Sequence, residues 1–491
     1  MNKQLRRLGA GLLGCYLALI AMVNYVQVFH ANALNKHPQN SRAVVRDFDQ
    51  PRGQIISADG AVLAQSVPSA PGDRFTFQRV YPEADLFGHL TGYLNVNFGA
   101  TGVEQTYNDD LSGVSVDQGL ATLQNLFESG SKAGDVTLTV RKDLQQLARD
   151  ALGEHKGSVV ALDPRDGSIL AMWSFPSYDP NPLASHDAVA AQAAKDALDA
   201  NPDHPLRARG WQERFFPGST FKLITGSTGV ETGKVTADQP SYAASNAYDP
   251  PDGLPIGNFG GEVCGGSLFS ILAISCNSAF AEMGAQTIGP GDMQAGAARF
   301  GFNSTPPIDL PSAVASVFPD TGKSKALLGQ ASIGQFNTAA TPLQMAMVAG
   351  AIGNGGQMMT PHVLKDVRDS KGTVTKTFQP SLWRRVMSST TSDVMKQAME
   401  GVVAHGTGTA ASISGIEVGG KTGTAQLGTN PPSSHAWFVC YAGPPGEAPQ
   451  IAVAVLVEGE PGASETTGGT VAAPIARMIV QQALGLASPG G

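Results

Sequence analysis

Charge is what this chain has least of. Only 15% of its 491 residues are Asp, Glu, Lys or Arg, against 42% apolar, so the composition is that of a globular chain and not a disordered one. A net charge of −8 leaves no basic excess to neutralise a phosphate backbone, so nucleic acid is not an expected partner. Cysteine is scarce too. Four residues are too few for a disulfide framework and lack zinc-site spacing, so no metal and no cofactor is expected. No internal repeat is evident, which sets aside solenoids and propellers. What remains is a chain long enough for more than one domain and a large buried core.

Long apolar runs are also rare, and one stands out. Leu8 to Phe29 is free of acidic and basic residues and follows Lys3, Arg6 and Arg7. About 20 such residues cross a bilayer core as helix, and a positive flank stays on the cytoplasmic side. The expectation is a single-pass protein of the cell membrane: residues 1–7 a cytoplasmic tail, 8–29 an anchor, the remainder extracytoplasmic. A cleaved signal is disfavoured by the length of the run and the lack of a small-x-small cleavage site behind a short apolar core. Leu12-Leu13-Gly14-Cys15 has the look of a lipoprotein box, but apolar residues continue past Cys15.

Beyond a polar linker, Arg52-Gly53-Gln54-Ile55-Ile56 and Val62-Leu63-Ala64 read as two short strands around Asp59-Gly60, a hairpin signal. Asp135 to Val140 alternates like a half-buried strand, so a small β-rich module is expected over 30–150. Glu104 and Asp59 read as structural members of it. A second domain, 151–487, opens with a hairpin, Ser158–Asp163 and Ser168–Trp173 around Pro164-Arg165-Asp166-Gly167. Helical periodicity fills 186–199, 219–232, 267–287, 291–300 and 338–352; strand patterns are expected to return only after residue 416, and a helix at 470–485 closes the chain. Two strands, a block of helices, three strands and a helix predict an α+β fold with a mostly antiparallel sheet flanked by helices.

Three short strings carry chemistry: Ser219-Thr220-Phe221-Lys222, Ser275-Cys276-Asn277 and Lys421-Thr422-Gly423. The first motif recurs at Ser129-Gly130-Ser131-Lys132, in a Gly/Ser stretch with no apolar run behind it. The weight therefore rests on order and context. Residues three apart share a helix face, so Lys222 can lie beside Ser219. A serine hydroxyl is a weak nucleophile until a base takes its proton, and lysine is that base only if burial or a second cation lowers its pKa. Lys421 is the expected second cation. Ser275 is placed to relay a proton and Asn277 to bind Lys222 and a substrate amide. Lys421, with the Thr422 and Thr424 hydroxyls, would grip a carboxylate, and Gly423 would let a substrate backbone pass close. The backbone N–H groups of Ser219 and Thr424 are oxyanion-hole candidates. Isolated, each string reads as a cap or a surface turn. His435, just before a strand, reads as an exposed or capping histidine more readily than as a substrate contact.

The chain resembles a class B penicillin-binding protein, a monofunctional D,D-transpeptidase. Besides the trio, Arg52-Gly53-Gln54-Ile55 with Asp59-Gly60, Gly102-Val103-Glu104 through Tyr107, Ile333-Gly334-Gln335 and Thr341-Pro342-Leu343-Gln344 are similar to stretches of that family. Size, Ala/Gly-rich composition and the lack of C-terminal repeats look most like the actinobacterial penicillin-binding protein A group. The resemblance implies a penicillin-binding-protein/β-lactamase-like transpeptidase fold with a five-stranded sheet, on a pedestal or dimerisation-like module at 30–150. It implies peptidoglycan stem peptides on lipid-linked glycan strands as substrate and β-lactams as covalent inhibitors. It also implies a membrane glycosyltransferase of the shape, elongation, division and sporulation type as partner. A carboxypeptidase or β-lactamase of the same fold and a non-catalytic scaffold or drug sensor are the competing readings; no extra base for activating water is visible beside the trio.

Two departures from the family stand out. Phe336 follows Gly334-Gln335 where the family often has Gly, so packing is expected to differ there. Cys276 occupies the middle of Ser-x-Asn. Cys264 lies twelve residues before it, and an exported domain permits a Cys264–Cys276 disulfide, with two buried thiols the alternative. A loop of that size is worth roughly 3 kcal/mol in the chain-entropy account.

Overall fold

The computed structural model describes residues 3–26, 48–113, 133–428, 433–459 and 467–486. The polar linker, the last residues of the apolar run and the second Ser-x-x-Lys string at Ser129 lie outside the described residues. At the N-terminus a helix runs Lys3–Tyr25, and Arg6–Tyr25, with a mean hydropathy of 1.7, is long and apolar enough to cross a membrane.

The second domain is built on five strands in the order Glu417–Gln426, Ser434–Gly443, Ile451–Val457, Gly157–Leu162 and Ile169–Phe175. Every neighbouring pair is antiparallel. Ile451–Val457 is apolar at every position and buried throughout, as a central strand covered on both faces must be. The wholly buried helix Pro342–Gly353 packs on three of these strands; Thr341 caps its first turn, its hydroxyl accepting from the Gln344 amide at 3.1 Å. Helices Lys142–Leu152 and Ala473–Ala483 pack on each other and on the sheet. Glu417–Gln426 is an edge strand, so one side is free of strand partners.

The N-terminal module holds the expected hairpin, with Ile55 paired to Ala64, and Asp135–Leu138 is half-buried with alternating exposure. Its sheet is larger than the local pattern indicates. Six strands run in the order Val374–Thr377, Leu364–Arg368, Asp135–Leu138, Ile55–Ile56, Val62–Pro68 and Phe77–Val80. A hairpin from late in the chain thus completes the pedestal. The expectation that strands return only after 416 misses it, because Val374–Thr377 is exposed at all four positions and has no apolar alternation to read. Asp309 fastens the seam: its carboxylate accepts the Val363 amide at 2.7 Å, the Leu364 amide at 2.9 Å and the Tyr107 hydroxyl at 2.5 Å.

Glu104 and Asp59 both have structural surroundings. Glu104 is fully buried, taking Arg52 Nε at 2.7 Å and Arg79 Nε at 2.6 Å. Burial alone would raise its pKa, but Arg79 and Arg52 pull it below the usual carboxylate value. Asp59 accepts the amide of Lys142 at 3.0 Å and so caps the helix that follows.

Candidate active site

The nucleophile string does not begin as an ordinary helix. Gly218–Phe221 is a 3₁₀ turn and the α-helix starts at Lys222. Gly218 has φ 51°, and a Cβ there would stand 3.0 Å from the Thr424 carbonyl oxygen, so this turn is pressed against the edge strand. Gly334 closes the other side, its carbonyl accepting the Gly218 amide at 3.0 Å. Trp437 Nε1 donates to the Phe216 carbonyl at 2.9 Å, tying the turn to the second strand.

The helical run expected over 267–287 breaks at the second string. Leu268–Ala273 ends, Ser275 adopts a left-handed φ of 61°, and Asn277–Glu282 begins anew. The break turns the Ser275 carbonyl and hydroxyl toward Lys222 instead of along a helix axis. Such a conformation costs a β-carbon-bearing residue about 1–3 kcal/mol and persists where the surroundings fix it. A disulfide joins Cys276 to Cys264, with Cα atoms 5.8 Å apart. It fastens the motif to the flap of short strands between Tyr242 and Gly266, and the Ser278 amide adds a bond to Asn258 Oδ1 at 2.8 Å.

The three strings converge on two buried amines. Lys222 Nζ lies 2.9 Å from Ser219 Oγ, 2.6 Å from the Ser275 carbonyl, 2.6 Å from Asn277 Oδ1 and 3.2 Å from Ser275 Oγ. Lys421 Nζ lies 2.8 Å from Ser275 Oγ and 2.8 Å from the Thr422 carbonyl. Both lysines are fully buried, while Ser219 keeps partial exposure. No carboxylate bonds either amine among the described residues. Burial, and then the charge of Lys421, pushes the Lys222 pKa well below the ordinary lysine value; burial pushes that of Lys421 down to about 7.

Counting protons shows what this allows. A neutral amine has two N–H bonds and one lone pair. The Ser275 carbonyl and Asn277 Oδ1 accept only, so they take both N–H bonds of Lys222. The lone pair is left for the hydroxyl proton of Ser219 or of Ser275. A neutral Lys222 thus presents a lone pair to the Ser219 hydroxyl, and the Ser275 hydroxyl is shared between two amines.

Other expected site residues have different surroundings. Asn277 Nδ2, expected to meet a substrate amide, donates to the Gly257 carbonyl of the flap at 3.1 Å. At Gly423 the edge strand runs close to the Ser219 turn: a Cβ there would stand 2.9 Å from the Pro217 carbonyl oxygen and 3.0 Å from Thr220 Cγ2. Thr422 is buried and Thr424 half-buried on the same edge strand. His435 is buried, not exposed. Its Nδ1 accepts the Gly459 amide at 3.1 Å, its ring meets Phe215 edge-on, and burial lowers its pKa to about 4. Phe336 keeps the left-handed backbone, φ 59°, that a glycine adopts freely. Sequence reasoning did not single out Thr407, whose hydroxyl lies 2.6 Å from that of Thr422; its only local signal is the flanking pair Gly406 and Gly408.

A serine hydroxyl in contact with a buried lysine whose pKa burial lowers, on this sheet and helix arrangement, fits a serine acyltransferase of the penicillin-binding class. The chain belongs to that family. Residues 157–481 match the penicillin binding protein transpeptidase domain, and residues 52–136 match the penicillin binding protein A dimerisation domain. Among curated relatives, the peptidoglycan D,D-transpeptidase PbpA of Mycolicibacterium smegmatis is 37% identical over 99% of both chains. The protein of the same name from Mycobacterium tuberculosis is 35% identical over 99% of both. The ceftriaxone acyl-enzyme of M. tuberculosis penicillin-binding protein A superposes with a TM-score of 0.80 at 34% identity, covering 90% of this chain and 100% of that one. Its penicillin G acyl-enzyme gives 0.79 at 34%, covering 88% and 99%.

Proposed function

We propose that this chain is a serine D,D-transpeptidase that cross-links peptidoglycan stem peptides, and that β-lactams acylate the same serine. The observation that carries the reading is the Lys222 amine, both of whose N–H bonds face acceptors while Ser219 Oγ stands 2.9 Å away. The curated relatives named above, peptidoglycan D,D-transpeptidases alike over their full length, support the substrate class.

In this reading Lys222 takes the Ser219 proton as Oγ attacks the penultimate D-Ala carbonyl of a stem peptide. The Ser219 and Thr424 amides receive the oxyanion; losing one such donor costs about 10²–10³ in rate. The C–N bond breaks, and the proton passes from Lys222 through the Ser275 hydroxyl to the departing D-Ala amine. An amine from a second strand then attacks the ester, giving its proton back along the same path and restoring Ser219. Lys421, Thr422 and Thr424 hold the terminal carboxylate, and Asn277 orients Lys222. Burial of the amines is what lets a lysine act as a base near neutrality.

We place the division into pedestal and transpeptidase domain near residue 150, supported by family matches that stop at 136 and start at 157. Helix Lys142–Leu152 packs on the transpeptidase sheet, and the hairpin Leu364–Thr377 returns to the pedestal. We also take the N-terminal helix as the anchor, its basic end cytoplasmic and the catalytic domain outside. A glycosyltransferase of the shape, elongation, division and sporulation type is the proposed partner, supplying the glycan strands that carry the peptides.

Labelling with a fluorescent penicillin tests the assignment. Wild-type protein is expected to form a long-lived adduct and Ser219→Ala none. Persistent labelling of the alanine variant would defeat the nucleophile assignment, and a rapidly decaying wild-type adduct would defeat the transferase reading in favour of a hydrolase.

A further inference from the structure

The segment Gly406-Thr407-Gly408 leaves the long helix Ser389–His405 and runs between the second and third strings without belonging to either. Its backbone is held on two sides. The Thr407 amide donates to the Ala273 carbonyl at 3.0 Å, at the end of the helix that leads into Ser275. Gly406 allows this approach, since a Cβ there would stand 2.3 Å from that same carbonyl oxygen. On the far side, a Cβ on Gly469 would stand 2.6 Å from the Thr407 carbonyl. With its backbone held, Thr407 is nonetheless exposed, and its hydroxyl bonds that of buried Thr422 at 2.6 Å.

Two hydroxyls in one hydrogen bond hold two protons, and only one lies inside the bond. Whichever oxygen donates, one O–H is left over at the pair, one residue along the strand from Lys421. A hydroxyl that itself accepts a hydrogen bond is a stronger donor, and a bond to an anion gains most from this. We propose that Thr407 is a specificity-determining positioning residue of the transpeptidase site. Donating to Thr422, it polarises and orients the Thr422 hydroxyl and leaves that O–H for the ligand, so that the Lys421–Thr424 strand selects substrates ending in a free carboxylate. This rests on the reading of Ser219 as the acylated nucleophile and of Lys421, Thr422 and Thr424 as the carboxylate grip.

The test compares two ligands on the full chain: a penicillin as its free acid and the same penicillin as its methyl ester, each followed as a second-order rate of acylation. In Thr407→Val, which keeps the shape and removes the hydroxyl, the acid is expected to react about tenfold more slowly while the ester changes less than twofold. Thr407→Ser is expected to restore the acid rate to within about twofold of wild type. With a stem-peptide substrate, the Val variant is expected to raise KM more than it lowers kcat. Equal slowing of acid and ester in Thr407→Val, or no slowing of either, would overturn the proposal while leaving the acyl-enzyme reading intact. Wild-type protein that takes up neither ligand would overturn both.

Discussion

Two pairs of buried cations sit in this molecule and meet opposite fates. In the pedestal, Arg52 and Arg79 converge on Glu104, and Glu104 is held ionised below its ordinary pKa. At the candidate active site, Lys222 and Lys421 converge on the Ser275 hydroxyl, and both lysines are driven toward the neutral form. A guanidinium does not give up its proton in a protein, so its burial is stable only against a counter-ion. An ammonium without a counter-ion escapes the cost of burial by losing its proton. Among the described residues, one carboxylate therefore separates a charged strut from a pair of amines driven toward neutrality.

The largest effect is expected from giving the candidate active site what the pedestal has. In Ser275→Asp a carboxylate would stand between the two amines, hold both protonated and remove the base. Penicillin acylation at neutral pH is expected to fall by about 10³-fold or more, which a rate of adduct formation measures. A variant that acylates within tenfold of wild type would show that Lys222 is not the base.

The converse change makes the pedestal resemble the candidate active site. Glu104→Gln leaves two guanidinium groups around a neutral amide, and the expected loss is about 3–5 kcal/mol of stability, read by denaturant unfolding. Acylation of the protein that remains folded should be little altered, because Glu104 touches none of the three strings.

The smallest effect is a pH dependence. Lys421 has an unfolded-state pKa of 10.5 and a folded one of about 7, so between those values the unfolded chain binds more protons and stability rises with pH. The cost of its burial is full below about pH 7 and gone above pH 10.5. Lys421→Met is therefore expected to melt above wild type at pH 7, with the gap closing toward pH 10.5 in thermal melts. Glu104 gives the opposite profile: its depressed pKa contributes stability above the ordinary value of 4.5 that is lost as pH falls through the folded one. A gap between Lys421→Met and wild type that stays constant across that range would mean the buried amine is not neutralised by burial.

Legibility in the sequence followed how local each signal was. The run Ile451–Val457 and the hairpin around Pro164-Arg165-Asp166-Gly167 announce themselves, because strand burial and turn chemistry act between near neighbours. The spacing of Ser219 and Lys222 is equally local. The sequence expectation has no helix at Ser389–His405, despite its Ser388 cap, and none at Lys142–Leu152. The pedestal hairpin Leu364–Thr377 was hidden for a different reason: its partner, Asp135–Leu138, lies far away in the chain, and its outer strand is solvent-exposed. Thr407 has the same problem, since a lone threonine between glycines says nothing until Thr422 is beside it.

By itself the sequence determined the family, the three strings, the candidate membrane span and the strand-and-helix order, all written in short-range patterns and residue identities. Only the tertiary structure decided the protonation of the site. Whether Lys222 is a base depends on what surrounds its amine, and its neighbours at Ser275, Asn277 and Lys421 come from separate segments of the chain. Burial, and the lack of a counter-ion among the described residues, are properties of the packed fold, and no spacing of residues along a chain encodes them.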